Sequence, residues 1–341
     1  MNILFSTRAF LPSLGGLELG TAQLAEELTR LGHTVVLLTT TPGDGPDRFP
    51  FRVVRRPGFR ETLRWMRWCD VVHQPNLSLK GIWPRLVVRR PWVVSHHSWY
   101  RRGDGRIAWQ DRLKRFVLRH VEGSIAVSRA MADDLVPRPV VIFNAYRDRL
   151  FRPLPGIARD RELAFLGRLV SDKGVDVLLD ALALLAADGL RPRLSVIGEG
   201  PERAALEEQA RCLGLGTAVS FLGVRTGEDL AQLLHRHQIL VAPSRYREPF
   251  GTVALEGIAC GCAVVGSADG GLVDAIGPCG RTFPNGDAAA LAQVLADLLR
   301  DPEQIRALLR RAPEHLAFQT GERIARMYAD VFAQAREKAR R

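Results

Sequence analysis

The stretch that most constrains the fold lies at residues 239–265, where two short apolar runs flank a loop and a helical segment. The first run, 239–242, stops at a proline, as a buried parallel strand does. Residues 251–260 are long enough for a short helix, and Gly261 lies where a C-cap glycine would. A second apolar run begins at Ala263. The order strand, loop, helix, strand predicts an α/β protein with a buried parallel sheet.

Two acidic residues flank the start of this helix: Glu248 lies in the loop, and Glu256 lies about one turn inside the helix. At about 1.5 Å rise per helical residue plus the loop, their carboxylates would lie on the order of 10 Å apart. A retaining carboxylate pair needs about 5 Å, so this spacing suits a clamp on two ends of one elongated ligand. Free backbone N–H groups at Phe250, Gly251 and Thr252 would favour an anion between them. The pattern predicts a sugar, a phosphate and a ribose in one row; the alternative is two solvated surface charges.

The composition is that of a soluble globular protein, with 46% hydrophobic and 25% charged residues in a chain of 341 residues, long enough for two domains. No apolar run reaches about 18 residues, so we expect no transmembrane helix. The amino-terminal residues enter a strand pattern at once and lack the layout of a signal peptide. The five cysteines are few and odd in number, so we expect reduced thiols in a cytoplasmic protein.

Positive charge is concentrated in the first half of the chain. Residues 1–150 hold 24 Lys and Arg against 13 Asp and Glu, whereas residues 151–341 hold 24 of each. This asymmetry predicts that one domain binds an acidic partner. The sequence carries no nucleic-acid recognition motif or base-stacking pattern, so we expect no nucleic-acid partner.

Two basic segments, at 59–69 and 85–119, interleave cations with aromatic residues, and the second holds ten cations against Asp104 and Asp111. Such mixtures suit a membrane headgroup interface, where each basic residue contributes about 1 kcal/mol at most. We therefore expect peripheral binding to an anionic membrane that carries a lipid-linked acceptor. Two alternatives stay open: a soluble acidic glycan acceptor, or tryptophans in the core beside solvated arginines. The aromatic residues concerned are Phe59, Trp65, Trp68, Trp92, Trp99, Tyr100 and Trp109.

The amino-terminal region reads as a βαβ unit, with a strand at 3–5, a helix at 17–31 and a strand at 35–39. Gly15 and Gly16 precede the helix, where glycines let the chain approach a ligand closely and a helix start favours phosphate. The pattern is not the dinucleotide motif G-x-G-x-x-G, and no acid closes the second strand. A plain turn is the alternative.

Candidate ligand-binding residues follow two further predicted strands. His97 lies at the carboxyl end of one of them, where ligands gather in open α/β sheets. Arg168 and Lys173 follow the predicted strand at 161–166, and two fixed cations at a strand end form a clamp for a diphosphate. The alternatives are a structural histidine and solvated loop cations.

Together these motifs resemble the retaining GT-B glycosyltransferases of family 4, also called glycosyl transferases group 1. The stretch at 248–256 reads E-P-F-G-x-x-x-x-E, that at 167–174 reads G-R-x-x-x-x-K-G, and the amino-terminal loop reads P-x-x-G-G-x-E. Where the family usually has Asn-Gly-Val/Ile-Asp, this chain has Asn144-Ala-Tyr-Arg147, which keeps the asparagine and lacks the glycine and the aspartate. The resemblance covers nearly the whole chain and is more specific in the second half.

The resemblance implies a GT-B fold, an α/β architecture of two Rossmann-like α/β/α domains facing each other across a cleft. It places an acceptor-side domain at 1–155, a nucleotide-sugar-binding domain at 156–320 and a helix at 321–341 that crosses back to the first domain. A proline-rich stretch at 152–156 is the expected linker.

The resemblance also implies the roles of single residues. His97 would contact the donor sugar, Arg168 and Lys173 would stabilise the diphosphate, Glu248 would hold sugar hydroxyls, and Glu256 would hold the ribose hydroxyls. The catalytic residues would then be His97, Arg168, Lys173 and Glu248. The donor-binding residues would be Gly15, Gly16, Asn144, Gly167, Arg168, Lys173, Glu248, Pro249, Phe250, Gly251, Thr252 and Glu256. We expect no metal ligand and no cofactor, because the two cations would carry the charge that a metal ion otherwise supplies.

The implied reaction moves a sugar from a nucleotide-diphospho-sugar, with a UDP- or GDP-sugar favoured, to a hydroxyl of a glycan or lipid-linked acceptor. The family's chemistry implies retention, with same-face attack by the acceptor and the phosphate taking its proton. Enzymes of this kind serve polysaccharide, lipopolysaccharide or glycolipid biosynthesis, so we expect a location in the cytoplasm at the inner face of the cell membrane. The alternatives are a GT-B sugar-nucleotide epimerase, which needs no acceptor, and an inactive sugar-nucleotide-binding protein.

Overall fold

The computed structural model describes residues 1–13, 15–43, 46–101 and 106–340. These residues form two compact units, here called the N-terminal unit and the C-terminal unit. The N-terminal unit consists of Met1–Ala145 and Gln319–Arg341, and the C-terminal unit consists of Tyr146–Phe318. Asp104, which the sequence analysis counted in the second basic segment, lies outside the described residues.

The N-terminal unit is built on a seven-stranded parallel sheet. Its strands are β1 (Asn2–Thr7), β2 (Thr34–Thr39), β3 (Arg52–Arg55), β4 (Val71–Pro75), β5 (Trp92–His96), β6 (Gly123–Ala126) and β7 (Val140–Val141). The helices between them are α1 (Gly16–Arg30), α2 (Phe59–Trp68), α3 (Trp83–Val87), α4 (Trp109–Val117) and α5 (Arg129–Asp133). The strand order is β3-β2-β1-β4-β5-β6-β7, so the winding direction reverses between β1 and β4.

The C-terminal unit is built on a six-stranded parallel sheet. Its strands are β8 (Arg161–Leu166), β9 (Leu194–Ile197), β10 (Val219–Gly223), β11 (His237–Ala242), β12 (Ala263–Ser267) and β13 (Gly280–Phe283). The helices are α6 (Val175–Ala187), α7 (Arg203–Cys212), α8 (Gly227–His235), α9 (Thr252–Ala259), α10 (Leu272–Ile276), α11 (Ala288–Arg300), α12 (Pro302–Leu309) and α13 (Ala312–Ala317). The order β10-β9-β8-β11-β12-β13 reverses between β8 and β11.

These two sheets, each with flanking helices, confirm the predicted α/β class and the GT-B fold. The strands are apolar and buried because helices cover them, as parallel sheets require. The helix predicted at 251–260 is α9, and Gly261 follows it with φ 79°. The backbone N–H groups of Gly261 and Cys262 donate to the carbonyls of Ile258 and Gly257, which is the Schellman pattern of a helix end.

The last helix, α14 (Gly321–Lys338), packs against the sheet of the N-terminal unit. Its residues Tyr328 and Phe332 lie in one apolar cluster with Ile3 and Phe5 of β1. The chain therefore returns to its first unit after completing the second. Among the helices of the described residues, none combines the length and apolar character needed to cross a membrane.

The change from the first unit to the second lies at 145/146, whereas the sequence analysis placed it at 155/156. Tyr146 and Phe151 are buried at 7% and 0% exposure, so the segment before the proline-rich stretch is already packed. The return to the N-terminal unit lies at 318/319, two residues before the position expected from the sequence.

Several aromatic residues of the two basic segments lie in the core. Trp65, Trp92 and Tyr100 are buried in one apolar cluster of the N-terminal unit. A surface role for these three is therefore wrong. Trp65 lies on the buried face of α2, Trp92 lies on the buried strand β5, and Tyr100, in the loop after β5, packs in the same cluster. Phe59 and Trp109, by contrast, are exposed at 60% and 70%.

Candidate active site

The two loops that carry the second-half motifs follow neighbouring strands. The loop with Arg168 and Lys173 leaves β8, and the loop with Glu248 leaves β11, and these strands pair side by side. The strand order of the sheet reverses between them. In open α/β sheets such a reversal opens a crevice at the carboxyl ends of the strands, where ligands bind. The motifs thus meet at the ligand-binding position that the topology creates.

The backbones of these two loops are tied together. The N–H groups of Arg245 and Tyr246 both donate to the carbonyl of Asp172, at 2.9 and 3.2 Å. Gly174 has a left-handed conformation, with φ 66°, and a Cβ there would lie 2.0 Å from the carbonyl oxygen of Pro243. Only glycine permits both this φ and this close approach. Gly174, the last glycine of the G-R-x-x-x-x-K-G motif, therefore allows the two loops to contact each other.

The side chains of Lys173 and Glu248 form an ion pair, with Nζ and Oε1 2.5 Å apart. The Ser244 hydroxyl donates to the same carboxylate oxygen at 2.7 Å. The sequence analysis predicted that Lys173 binds a diphosphate and that Glu248 binds a sugar. The structure brings these two side chains into direct contact. Lysine carries three donors, so Lys173 retains hydrogen-bonding capacity beyond this pair.

The loop after β12 fixes the backbone of Glu248. The Gly271 N–H donates to the Glu248 carbonyl at 2.7 Å, and Gly270 forms a bridge with Glu248. Gly270 has φ 102°, and a Cβ there would lie 2.6 Å from the same carbonyl oxygen. The two glycines hold the first acid of the E-x7-E motif in place.

Arg168 stands apart from these pairs. Its side chain is exposed, and within the described residues it forms no ion pair or hydrogen bond. The backbone beside it is held closely, because a Cβ on Gly198 would lie 1.8 Å from the Gly167 carbonyl oxygen. Arg168 is thus an uncompensated guanidinium on a fixed loop, which is what an anionic ligand needs.

Glu256 lies on the inner side of α9 with 8% exposure, and its Oε1 accepts from Nη2 of Arg147 at 3.2 Å. Burial raises the pKa of this carboxyl, and the charge and hydrogen bond of Arg147 act in the opposite direction. The Arg147 guanidinium also lies over the Phe151 ring, 4.9 Å from its centroid. Sequence reasoning missed this partner, although Arg147 stands where the resemblance shows an aspartate as the usual residue.

The glycine pair lies at the start of α1, which begins at Gly16 rather than at the predicted Leu17. Gly15 is extended, and a Cβ there would lie 2.3 Å from a carboxylate oxygen of Glu18. Glu18 in the first turn already places a negative charge at the positive end of the helix dipole, so a phosphate there would meet a like charge. The phosphate contact of Gly15 and Gly16 stays a prediction.

His97 follows β5 and is half-buried, whereas His96 is fully buried. The backbone N–H of His97 donates to Oδ1 of Asn76 at 2.7 Å, and its ring nitrogen Nε2 lies 2.9 Å from the Ser95 hydroxyl. Burial lowers the pKa of His97 to about 4, so the ring is neutral near pH 7. Asn144 is half-buried beyond β7.

Within the described residues, no group of three or more His, Cys, Asp or Glu side chains is arranged to hold a metal ion.

Comparison with known proteins matches both halves of the chain to glycosyltransferase families. The model described as Glycosyltransferase Family 4 matches residues 14–144, and that described as Glycosyl transferases group 1 matches residues 147–315.

The proteins similar to this chain include two curated relatives and one solved structure. Glycogen synthase of Mycobacterium tuberculosis strain H37Rv is 38% identical over 167 residues, covering 48% of this chain and 39% of that protein. D-inositol 3-phosphate glycosyltransferase of Corynebacterium urealyticum is 36% identical over 179 residues, covering 50% and 42%. The chain thus spans about two fifths of the length of these relatives. Anabaena Alr3699/HepE in complex with UDP and glucose has a TM-score of 0.80 at 22% identity, covering 98% of this chain and 99% of that one.

The pairing of Arg147 with Glu256 predicts a pH-dependent stability loss. Replacing Arg147 with Met raises the pKa of Glu256 further, and the folded state then binds a proton that the unfolded state releases. The free energy of unfolding falls with rising pH in that range, so Arg147→Met should cost about 1–3 kcal/mol near pH 8 and clearly less near pH 5. Denaturant titrations at the two pH values measure the difference.

Arg211→Met is the matched control, because Arg211 pairs with Glu208 at the fully solvated surface and should contribute little to stability at either pH. The double variant Arg147→Met/Glu256→Gln should remove the pH dependence. An equal loss at both pH values in Arg147→Met would show that the ion pair does not set the protonation of Glu256.

Proposed function

Because the chain belongs to the family 4 glycosyltransferases, the glycosyl transferases group 1, we propose that it moves a sugar from a nucleotide-diphospho-sugar to an acceptor hydroxyl with retention. The observation that carries this proposal is the meeting of the two loops at the reversal of the C-terminal sheet. There an unpaired Arg168 lies on the same fixed loop as the Lys173–Glu248 pair.

The proposed chemistry follows the movement of charge. Cleavage of the anomeric C–O bond leaves the electron pair on a diphosphate oxygen and positive charge on the sugar ring. Fixed cations and helix-start N–H groups stabilise the diphosphate electrostatically, because they are oriented before the reaction begins. The acceptor oxygen attacks the same face of the sugar, and its proton goes to the leaving phosphate oxygen. The products are the glycoside and the nucleoside diphosphate, without need of a metal ion.

The two cations contribute unequally in this proposal. Lys173 already pairs with Glu248, so its charge is partly compensated before a donor binds. Arg168 has no such partner among the described residues, and its guanidinium can bind a phosphate through two parallel N–H groups. We therefore assign the larger share of diphosphate stabilisation to Arg168. Lys173 holds the Glu248 carboxylate and reaches the phosphate with its remaining N–H groups.

The two glutamates bind opposite ends of the donor in this proposal. Glu248 binds sugar hydroxyls with the oxygen that Lys173 and Ser244 leave open. Glu256, held by Arg147, accepts from the ribose hydroxyls. Contacts of the N-terminal residues Gly15, Gly16, His97 and Asn144 with the donor rest on the family resemblance, as do those of Gly167 and of Pro249, Phe250, Gly251 and Thr252.

A UDP- or GDP-sugar is the donor that we propose, and the UDP complex of Alr3699/HepE supports a uridine nucleotide. The acceptor is a glycan or lipid-linked glycan in the formation of a cell-surface polysaccharide, lipopolysaccharide or glycolipid. Incubation with radiolabelled UDP- and GDP-sugars, with and without acceptor extracts, tests the activity. Conversion of the donor to an epimer without acceptor favours an epimerase, and tight donor binding with no turnover favours an inactive binding protein.

Arg168 provides the sharpest test of the charge assignment. Arg168→Ala should lower kcat by on the order of 10²–10³, the loss seen when one preorganised charge-stabilising donor is removed. Steady-state kinetics with the active donor measure it. Arg191→Ala is the matched control, because Arg191 is an exposed loop arginine that precedes β9, at the amino ends of the strands rather than at the carboxyl ends where Arg168 lies. Wild-type turnover in Arg168→Ala would remove Arg168 from the mechanism.

We further propose that α4 is the membrane-contacting element of the N-terminal unit. Trp109, Leu113 and Phe116 follow the spacing of one helix face and are exposed at 70%, 43% and 57%. α4 buries none of its residues fully, and the exposed Arg112 and Arg119 lie on or beside it. An apolar face flanked by arginines in a basic half of the chain complements an anionic headgroup layer. The protein would then work at the inner face of the cell membrane.

Vesicle co-sedimentation tests this surface. Binding should rise with the fraction of anionic lipid and fall with salt, because screening weakens each charge contact. The triple variant Trp109→Ser/Leu113→Ser/Phe116→Ser should lose binding, whereas Leu184→Ser, at an exposed leucine of α6, should not. A wild-type protein that ignores anionic vesicles at low salt contradicts the membrane proposal and favours a soluble acidic acceptor.

A further inference from the structure

A chain of hydrogen-bonding groups lies behind His97 in the N-terminal unit. The Ser95 hydroxyl is 2.9 Å from Nε2 of His97 and 3.0 Å from Nε2 of His73. The Tyr328 hydroxyl of α14 also hydrogen-bonds Ser95. Ser95, His73 and Tyr328 are buried at 0%, 1% and 2% exposure, so these groups must satisfy one another.

We infer that this network holds His97 as the tautomer with its proton on Nδ1, so that His97 presents an N–H donor to a sugar oxygen of the bound ligand. The donor role rests on the proposed function, whereas the tautomer follows from the buried contacts alone. Each group in the network has a fixed number of donors and acceptors, and only one arrangement satisfies them all.

His73 sets the first constraint. Its ring is packed against the rings of Phe5, Tyr328 and Phe332, and its Nδ1 is buried without a hydrogen-bond partner among the described residues. Burial lowers the pKa of His73 to about 3, so the ring carries one proton near pH 7. A proton on Nδ1 would leave a buried N–H group without an acceptor. An unpaired buried donor costs more free energy than an unpaired buried acceptor nitrogen. The proton is therefore on Nε2, and His73 donates to Ser95.

Tyr328 sets the second constraint. Its hydroxyl has Ser95 as its hydrogen-bond partner in the part of the chain that the structure describes. If Ser95 donated to Tyr328, the Tyr328 proton would be left without an acceptor in a buried position. Tyr328 therefore donates to Ser95, whose oxygen then accepts from both His73 and Tyr328 and has no remaining acceptor capacity.

Ser95 has one proton left to donate, and the remaining neighbour is Nε2 of His97. That nitrogen must accept, so the single proton of the neutral His97 ring lies on Nδ1. This is the nitrogen that no other described residue engages. Ser95, His73 and Tyr328 are thus positioning residues that act through His97, and α14 acquires a part in the site through Tyr328.

Nuclear magnetic resonance of ¹⁵N-histidine-labelled protein tests the tautomer directly, without any substrate. Long-range ¹H–¹⁵N correlations distinguish a protonated from an unprotonated ring nitrogen, and a His97→Asn variant assigns the His97 signals among the eight histidines. We expect His97 protonated on Nδ1 and His73 protonated on Nε2. A His97 ring protonated on Nε2 in the wild-type protein overturns the inference.

Two variants separate the network from general packing. Ser95→Ala removes the donor to His97, so the fixed Nδ1–H signature should be lost. Tyr328→Phe removes a donor to Ser95 but leaves the Ser95-to-His97 bond, so the signature should persist. If Tyr328→Phe shifts the proton of His97 to Nε2, the assigned direction of the bonds is wrong. The wild-type spectrum decides the matter even if Ser95→Ala does not fold.

A matched pair at His97 tests the donor role. The amide nitrogen of Asn reaches the place of Nδ1, whereas that of Gln reaches the place of Nε2. His97→Asn should therefore bind the nucleotide sugar roughly tenfold more tightly than His97→Gln, the effect of one hydrogen bond. Free nucleoside diphosphate should bind both variants alike. Equal affinities for the nucleotide sugar contradict the donor role, whereas absence of turnover in the wild-type protein contradicts the proposed function and leaves the tautomer result standing.

Discussion

The hydrogen bonds from Arg245 and Tyr246 to the Asp172 carbonyl are the constraint on which the candidate site depends. They join loops that leave two neighbouring strands, and they hold only because Gly174 lets the chain pass against Pro243. A backbone tie of this kind places Lys173 and Glu248 in contact without relying on long, flexible side chains alone. The conformational entropy of those side chains is then lost when the protein folds rather than when the ligand binds. Preorganised sites gain affinity in this way.

Charge compensation divides the ionisable groups of the C-terminal unit into two kinds. Glu248 and Glu256 each have a cationic partner, and Glu256 needs one because burial alone would favour its neutral form. Arg168 is different, since its side chain has no partner among the described residues. A site that carries one uncompensated cation beside two compensated acids favours a ligand that is anionic at its centre and rich in hydroxyls at its ends.

The sequence predicted the parts of this structure that local patterns encode. Apolar runs ending in glycine or proline identify buried parallel strands, so the sequence predicted the α/β class, and it predicted the bounds of α9 to within one residue at each end. The pairings Lys173–Glu248 and Arg147–Glu256 join residues 75 and 109 positions apart. The hydrophobic periodicity of a sequence indicates local structure and cannot predict contacts over such separations. Trp65, Trp92 and Tyr100 misled for a related reason, because an aromatic residue beside arginines has the same spacing whether it faces the core or the solvent. Arg147 carried a usable signal, since a cation in place of a usual aspartate calls for an acidic partner.

The central claim is that the loops after β8 and β11 bind the donor as one unit. Hydrogen–deuterium exchange of the wild-type protein, with and without saturating UDP-glucose or GDP-mannose, tests it most directly because exchange reports backbone order along the whole chain. The account predicts that exchange slows together at residues 168–174 and 245–256. Slowing confined to one of these loops, or to residues 191–193 and 214–218 at the amino ends of β9 and β10, would contradict it.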